Sequence, residues 1–167
     1  LSGTSVSLSS DGSVVAIGAS RNDGNGANAG HVRLYAWDGS NWMQRGADID
    51  GEAADDLSGG SVSLSSDGSV VAIGAQYNDG NSTDAGHVRL YAWDGSSWLQ
   101  RGTDIDDEPW RSGYSVSLSS DGSVVAIGAP YNGPMAGHVR LYAWDGSRWT
   151  QRGADIDGEA ADDLSGG

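Results

Sequence analysis

Apolar and polar positions alternate along this chain in short bursts. Val6 and Leu8 are separated by serines, and Asp11-Gly12, a strong hairpin signal, leads into the apolar run Val14 to Ala19. A Gly/Asn-rich stretch over residues 21–30 separates this pair from His31 to Trp37. The turn Asp38-Gly39-Ser40-Asn41 then precedes a fourth segment, from Trp42 to about Ile49. No window carries the period of an amphipathic helix over a useful length. The pattern predicts four short antiparallel strands joined by turns, and it recurs. SVSLSSDGSVVAIGA begins at Ser5, Ser61 and Ser115, and AGHVRLYAWDGS begins at Ala29, Ala85 and Ala136.

Side-chain volume grows along each unit. The first two strands are built from Ser, Val, Ala and Gly, whereas the last two carry Tyr, Trp, Arg, Gln and Met. A wedge-shaped blade needs that gradient, with small residues near a crowded axis and large ones in the widening gaps outside. The expected fold is therefore all-β, three four-stranded antiparallel β-propeller blades over residues 1–60, 61–114 and 115–167, with a β-solenoid as the rival. A propeller closes with about four to eight blades, so three form an incomplete ring or half of a six-bladed assembly. Leu164-Ser165-Gly166-Gly167 repeats Leu57-Ser58-Gly59-Gly60, and the chain opens on Leu1. Both features suggest a segment of a longer propeller, and further blades or a second copy are the expected self-association partners.

Charge narrows the partners. Nine basic residues, all Arg, stand against 23 acidic ones, for a net charge of −14. Nucleic acid and anionic membrane are poor partners for such a surface, and no apolar run reaches membrane-spanning length. The absence of cysteine excludes disulfides, thiol catalysis and thiolate metal sites.

Residues 52–62 (EAADDLSGGSV), followed by Asp67-Gly68 and Ala72-Ile73-Gly74-Ala75, resemble the FG-GAP repeat of integrin α-subunit propellers and related microbial surface proteins; Gly128-Ala129-Pro130 keeps the family's Gly-Ala-Pro. The likeness extends over all three units. The family's Phe-Gly is Ser-Gly here, at Ser2-Gly3, Ser58-Gly59, Ser112-Gly113 and Ser165-Gly166, so the units are divergent. The resemblance implies a secreted or cell-surface location, a protein or glycan ligand, and calcium in the hairpin between the first two strands. That hairpin offers Ser7, Ser9, Asp11 and Gly12, with one strong oxygen ligand where calcium takes about six to eight. Tight Asp-Gly turns are expected instead at Asp11, Asp67 and Asp121.

Family topology also implies that the loops joining strands two to three, and each blade to the next, share one face. Those loops differ most between copies, which suits a binding face. The candidate contacts are Asp23, Asp79, Asp84, Trp110, Arg111 and Tyr131, with Trp110 singled out because no other copy has its equivalent. Carboxylates crowd the same face. Asp48, Asp50, Glu52, Asp55 and Asp56, and again Asp155, Asp157 and Glu159, are the candidate metal ligands, with calcium the candidate ion and solvation the simpler reading. His31, His87 and His138 are read as strand-face residues, since equivalent positions in neighbouring blades stand too far apart to share one ion. Trp37 and Trp42, and their copies, flank a turn and are read as packing residues.

No nucleophile elbow, oriented base or phosphate-cradling loop appears. The sequence therefore reads as a non-enzymatic extracellular binding or adhesion module acting through its acidic loop face. The alternatives are a structural repeat protein assembling blade to blade and a multivalent glycan-binding lectin.

Overall fold

A computed structural model describes residues 2–80, 82–106, 111–131, 136–160 and 164–167. Trp110 lies outside them. The chain forms three antiparallel β-sheets, one per repeat, and no helix occurs among the described residues. The first blade contains β1 (Ser5–Leu8), β2 (Val14–Ala19), β3 (His31–Trp37), β4 (Trp42–Gln44) and β5 (Ile49–Asp50). The second contains β6 (Ser61–Leu64), β7 (Val70–Ala75), β8 (His87–Trp93), β9 (Trp98–Gln100) and β10 (Ile105–Asp106). The third contains β11 (Ser115–Leu118), β12 (Val124–Ala129), β13 (His138–Trp144), β14 (Trp149–Gln151) and β15 (Ile156–Asp157).

The Asp-Gly hairpins set the register. Asp11 Oδ1 accepts hydrogen bonds from Ser9 Oγ, Ser13 Oγ and Ser13 N at 2.7–2.9 Å, and Gly12 takes φ +70°, so β1 pairs with β2 from Leu8↔Val15 to Ser5↔Gly18. Those bonds favour the ionised carboxylate and hold its pKa down at about 2. The expected fourth strand is split in two. β4 and β5 both pair with β3, but residues 45–48 leave the ladder through Gly46, at φ +84°. The same break recurs at Gly102 and at Gly153, each at φ +86°, the last in a blade with no following neighbour, so it belongs to the repeated Arg-Gly itself. Between blades the freed group is used: Trp98 of the next blade donates Nε1–H to the Arg45 carbonyl at 2.7 Å, and the Arg45 guanidinium lies 4.8 Å from the Trp93 ring centre. Trp149, Arg101 and Trp144 repeat the lock one blade on, at 2.7 and 5.0 Å.

The blades stand side by side with their first strands innermost, β1 against β6 and β6 against β11. Hydrogen bonds join them there, Leu64 N to Ser7 Oγ and Leu118 N to Ser63 Oγ, each at 2.9 Å. This is an open propeller arc, and the antiparallel sheets exclude a solenoid of parallel coils. Alternation on the strands gives each blade two apolar faces. Val14, Ala16, Val32, Leu34 and Ile49 of the first blade pack on Val62, Leu64, Val71 and Ile73 of the second. Ala72, Val88, Leu90 and Ile105 pack likewise on Val125 and Ile127 of the third. The outer face of the first blade and the far face of the third have no neighbour among the described residues: Val6, Leu8 and Ile156 are 66%, 59% and 56% exposed, against 9%, 7% and 5% for Val62, Leu64 and Ile105.

Candidate functional site: a histidine–carboxylate cluster on the loop face

The loops from β2 to β3 and from blade to blade do share one face. Asn25 Nδ2 donates to the Gly51 carbonyl at 2.8 Å, and Asn28 Nδ2 to Asp55 Oδ1 at 3.0 Å. Asp56 is buried and accepts from Ala53 N and Asn78 Nδ2 at 2.9 and 3.0 Å, so its carboxylate ties the junction to the second blade. Asp23 and Asp79 each accept a backbone N–H within their own loops, from Asn28 and Asp84 at 2.8 Å. The Arg111 guanidinium sits between the rings of Tyr77 and Tyr131, 4.5 and 4.9 Å from their centres. Arg21, Asn28, Asp55, Leu57 and Tyr77 line a mixed groove of about 340 Å³ beside the first junction.

Below these loops every blade brings a histidine against carboxylates. The histidine opens the third strand, and the Asp-Ile-Asp segment pairs across it, with His31 opposite Asp50, His87 opposite Asp106 and His138 opposite Asp157. Three groups result, in which one donor atom per residue lies within 4.8 Å of the others: His31, Asp48 and Asp50; Glu52, His87 and Asp104; and His138, Asp155 and Asp157. Of the carboxylates expected as ligands, Asp48, Asp50, Glu52, Asp155 and Asp157 fall in these groups, whereas Glu159 is exposed. Asp104 and the three histidines were not among them. Histidines of different blades do not share a group; each takes its aspartates from its own blade, and His87 adds Glu52 from the preceding one. The signal is the His-Val-Arg and Asp-Ile-Asp pairing repeated at one spacing.

The middle group differs from the other two. Asp48 takes three hydrogen bonds from Arg33 at 2.7–2.9 Å, and Arg140 reaches Asp155 at 2.7 Å. Their counterpart Arg89 instead turns to the first blade, donating to the Asp50 carbonyl at 2.7 Å and lying 3.6 Å from Glu52. Asp104 is left with Gln100. The His87 side chain is 2% exposed, and its Nδ1 faces Asp104, Asp106 and Glu52 at 3.7, 3.9 and 4.0 Å. Its Nε2 is buried and has no hydrogen-bond partner among the described residues. Burial, reinforced by the Arg89 charge, pulls the His87 pKa down to about 4 against the opposing carboxylates, so the ring is neutral at neutral pH and these contacts are not ion pairs. Burial also pushes Glu52 up, and burial with the neighbouring Asp104 pushes Asp106 up.

These shifts fix a pH dependence. The unfolded histidine binds a proton below about pH 6.5 and the folded one below about 4, so the His87 contribution is complete above 6.5 and is lost as pH falls toward 4. Glu52 and Asp106, with raised folded values, act in the opposite sense and only near the ordinary carboxylate range. Urea unfolding followed across this window should show stability falling with pH, and the slope should flatten in His87→Asn.

The Asp-Gly hairpins offer a different donor set. Each has one carboxylate, whose Oδ1 already takes neighbouring Ser groups, as at Asp67 and Asp121, and this does not fit the six to eight oxygens of a calcium ion.

No protein-family profile matches the sequence, and no curated protein matches it. Among solved structures, a "putative 6-phosphogluconolactonase" from Bacteroides uniformis superposes with a TM-score of 0.61 at 14% identity, over 91% of this chain. The chain spans 40% of that protein's length. The likeness shows the fold. It also overturns the expectation of a non-enzymatic chain, because a protein named for an enzyme carries this architecture.

Proposed function

We propose that this chain forms blades of an extracellular β-propeller whose loop face binds divalent cations and, beside them, the protein or glycan ligand that its resemblance to FG-GAP adhesion repeats implies. The observation that carries the reading is the middle-blade cluster, in which three carboxylates surround a buried neutral imidazole. Separations of 3.7–4.0 Å are too long for hydrogen bonds. Two ligands each about 2.1 Å from one ion stand roughly 3–4 Å apart, so the spacing suits donors arranged around a cation. An ion would also offset the burial, and the neighbouring carboxylates, that raise Glu52 and Asp106.

One imidazole nitrogen among carboxylate oxygens favours a first-row divalent ion such as zinc over calcium, which prefers an all-oxygen shell. The groove at Arg21, Asn28 and Tyr77 gives a ligand polar and aromatic surface on the same face. Calorimetric titration with zinc, and with calcium in competition, tests the reading. Zinc should bind, and Asp104→Asn and Glu52→Gln should each weaken it by about tenfold or more while the circular dichroism stays unchanged. Zinc binding that ignores both substitutions, or no zinc binding by the parent chain, would contradict it.

A further inference from the structure

We infer that the two uncovered blade faces are complementary halves of one interface, and that a second copy of this chain docks head to tail, its first blade on the third blade of its partner. The interface is already present twice within the chain, so both its halves are known residue by residue. The receiving side consists of Val62, Leu64, Val71, Ile73, Tyr91 and Trp98 in the second blade; in the first blade Val6, Leu8, Val15, Ile17, Tyr35 and Trp42 hold those positions. Leu8, Val15, Ile17, Tyr35 and Trp42 line an open, almost wholly apolar groove of about 380 Å³. The presenting side consists of Val14, Ala16, Val32, Leu34 and Ile49; in the third blade the same residue types stand at Val124, Ala126, Val139, Leu141 and Ile156, all at least partly exposed. An apolar sheet face of this extent marks an interaction surface, and the identity of the residues on both sides selects another copy as the occupant.

The lock residues agree. Gly46 and Gly102 each lie under the tryptophan pair of the following blade, so closely that an added Cβ would come within 2.9 and 2.8 Å of Trp93 and Trp144. Gly153, their equivalent in the third blade, has nothing within 4 Å. Docking would bring Trp42 of the second copy to the Arg152 carbonyl, and its Trp37 and Trp42 rings under the Arg152 guanidinium. In the same step Gly166 would take the place on Gly18 that Gly3 holds through a 2.9 Å hydrogen bond, displacing exposed residues 2–4 of the incoming copy.

Docking would also complete a site. Glu52 reaches His87 and Arg89 from the preceding blade, whereas the cluster at His31 and Arg33 has no preceding blade. The residue equivalent to Glu52 at the far end is Glu159, within the repeated Gly-Glu-Ala-Ala, and the interface would carry it to His31 and Arg33 of the second copy. This last step rests on the cation reading above, while the docking itself rests on the apolar faces.

Two charge insertions at exposed positions test the inference. Leu8→Glu spoils only the receiving face and Ile156→Glu only the presenting face. In sedimentation at tens of micromolar, the parent chain should run well above its 17.1 kDa mass. Each variant alone should be a folded monomer, and an equimolar mixture should form a species of twice that mass through its one intact junction. A parent chain that stays a folded monomer, a variant that self-associates as the parent does, or a mixture that fails to pair would each overturn it. A monomer that binds zinc at His87 contradicts the docking alone, and an assembly that binds none contradicts the cation reading alone.

Discussion

Gly74→Ala should abolish the cooperative fold. An alanine Cβ at this position would collide with the Gly113 carbonyl oxygen and with Ser61 Oγ, where the second junction crosses β7. Ser61 Oγ donates to that same carbonyl at 2.8 Å, so the oxygen is held in place and cannot yield cheaply. A clash of backbone on backbone inside the sheet belongs with overpacking and broken hydrogen bonding together, at a cost above about 4 kcal/mol, a large share of the stability of a domain this size. Gly18→Ala meets Gly59 in the same way and should cost as much. Gly128→Ala meets the Gly166 carbonyl, which Ser115 Oγ holds at 2.7 Å, and should cost as much as either. Gly39→Ala, with φ +101° and nothing within 4 Å, should cost only about 1 kcal/mol of backbone strain. Thermal unfolding of the four variants gives the ranking directly.

The second large effect separates one residue type in two settings. Trp98 packs against the core between the first two blades, donates to the Arg45 carbonyl and lies 5.6 Å from the Arg45 guanidinium, so Trp98→Ala should destabilise by about 3–5 kcal/mol. Trp42, in the identical position of the first blade, is 45% exposed on an open groove and pairs with its hairpin neighbour Trp37, with ring centres 5.5 Å apart. Trp42→Ala should cost less than about 1 kcal/mol in the isolated chain. Urea unfolding under dilute, monomeric conditions measures both. Near-equal costs would mean that the tryptophan pairs act through the hairpin and not through the blade interface.

Much of this architecture is local in origin and therefore legible in the sequence. The Asp-Gly and Asp-Gly-Ser turns, the alternation in β1 and the repeated strings give the strand order, the registers and the wedge of growing side chains. What escaped detection depends on contacts between segments. The His87 cluster draws Glu52 from one blade and Asp104 from another segment of its own, and Arg89 reaches across to the Asp50 carbonyl of the preceding blade. Asp55 and Asp56 lie close to Glu52 in sequence, yet they bind Asn28 and Asn78 across the loops. Proximity in an acidic run did not separate ligand candidates from loop ties.

Anomalous diffraction from a crystal of the full chain soaked in zinc tests the central claim most directly. The peak should lie in the middle blade, about 2.1 Å from His87 Nδ1 and from a carboxylate oxygen of Asp104, with Glu52 or Asp106 completing the shell. A soaked crystal with no peak there, or with its ions at Asp11, Asp67 and Asp121 in the hairpins, would contradict it.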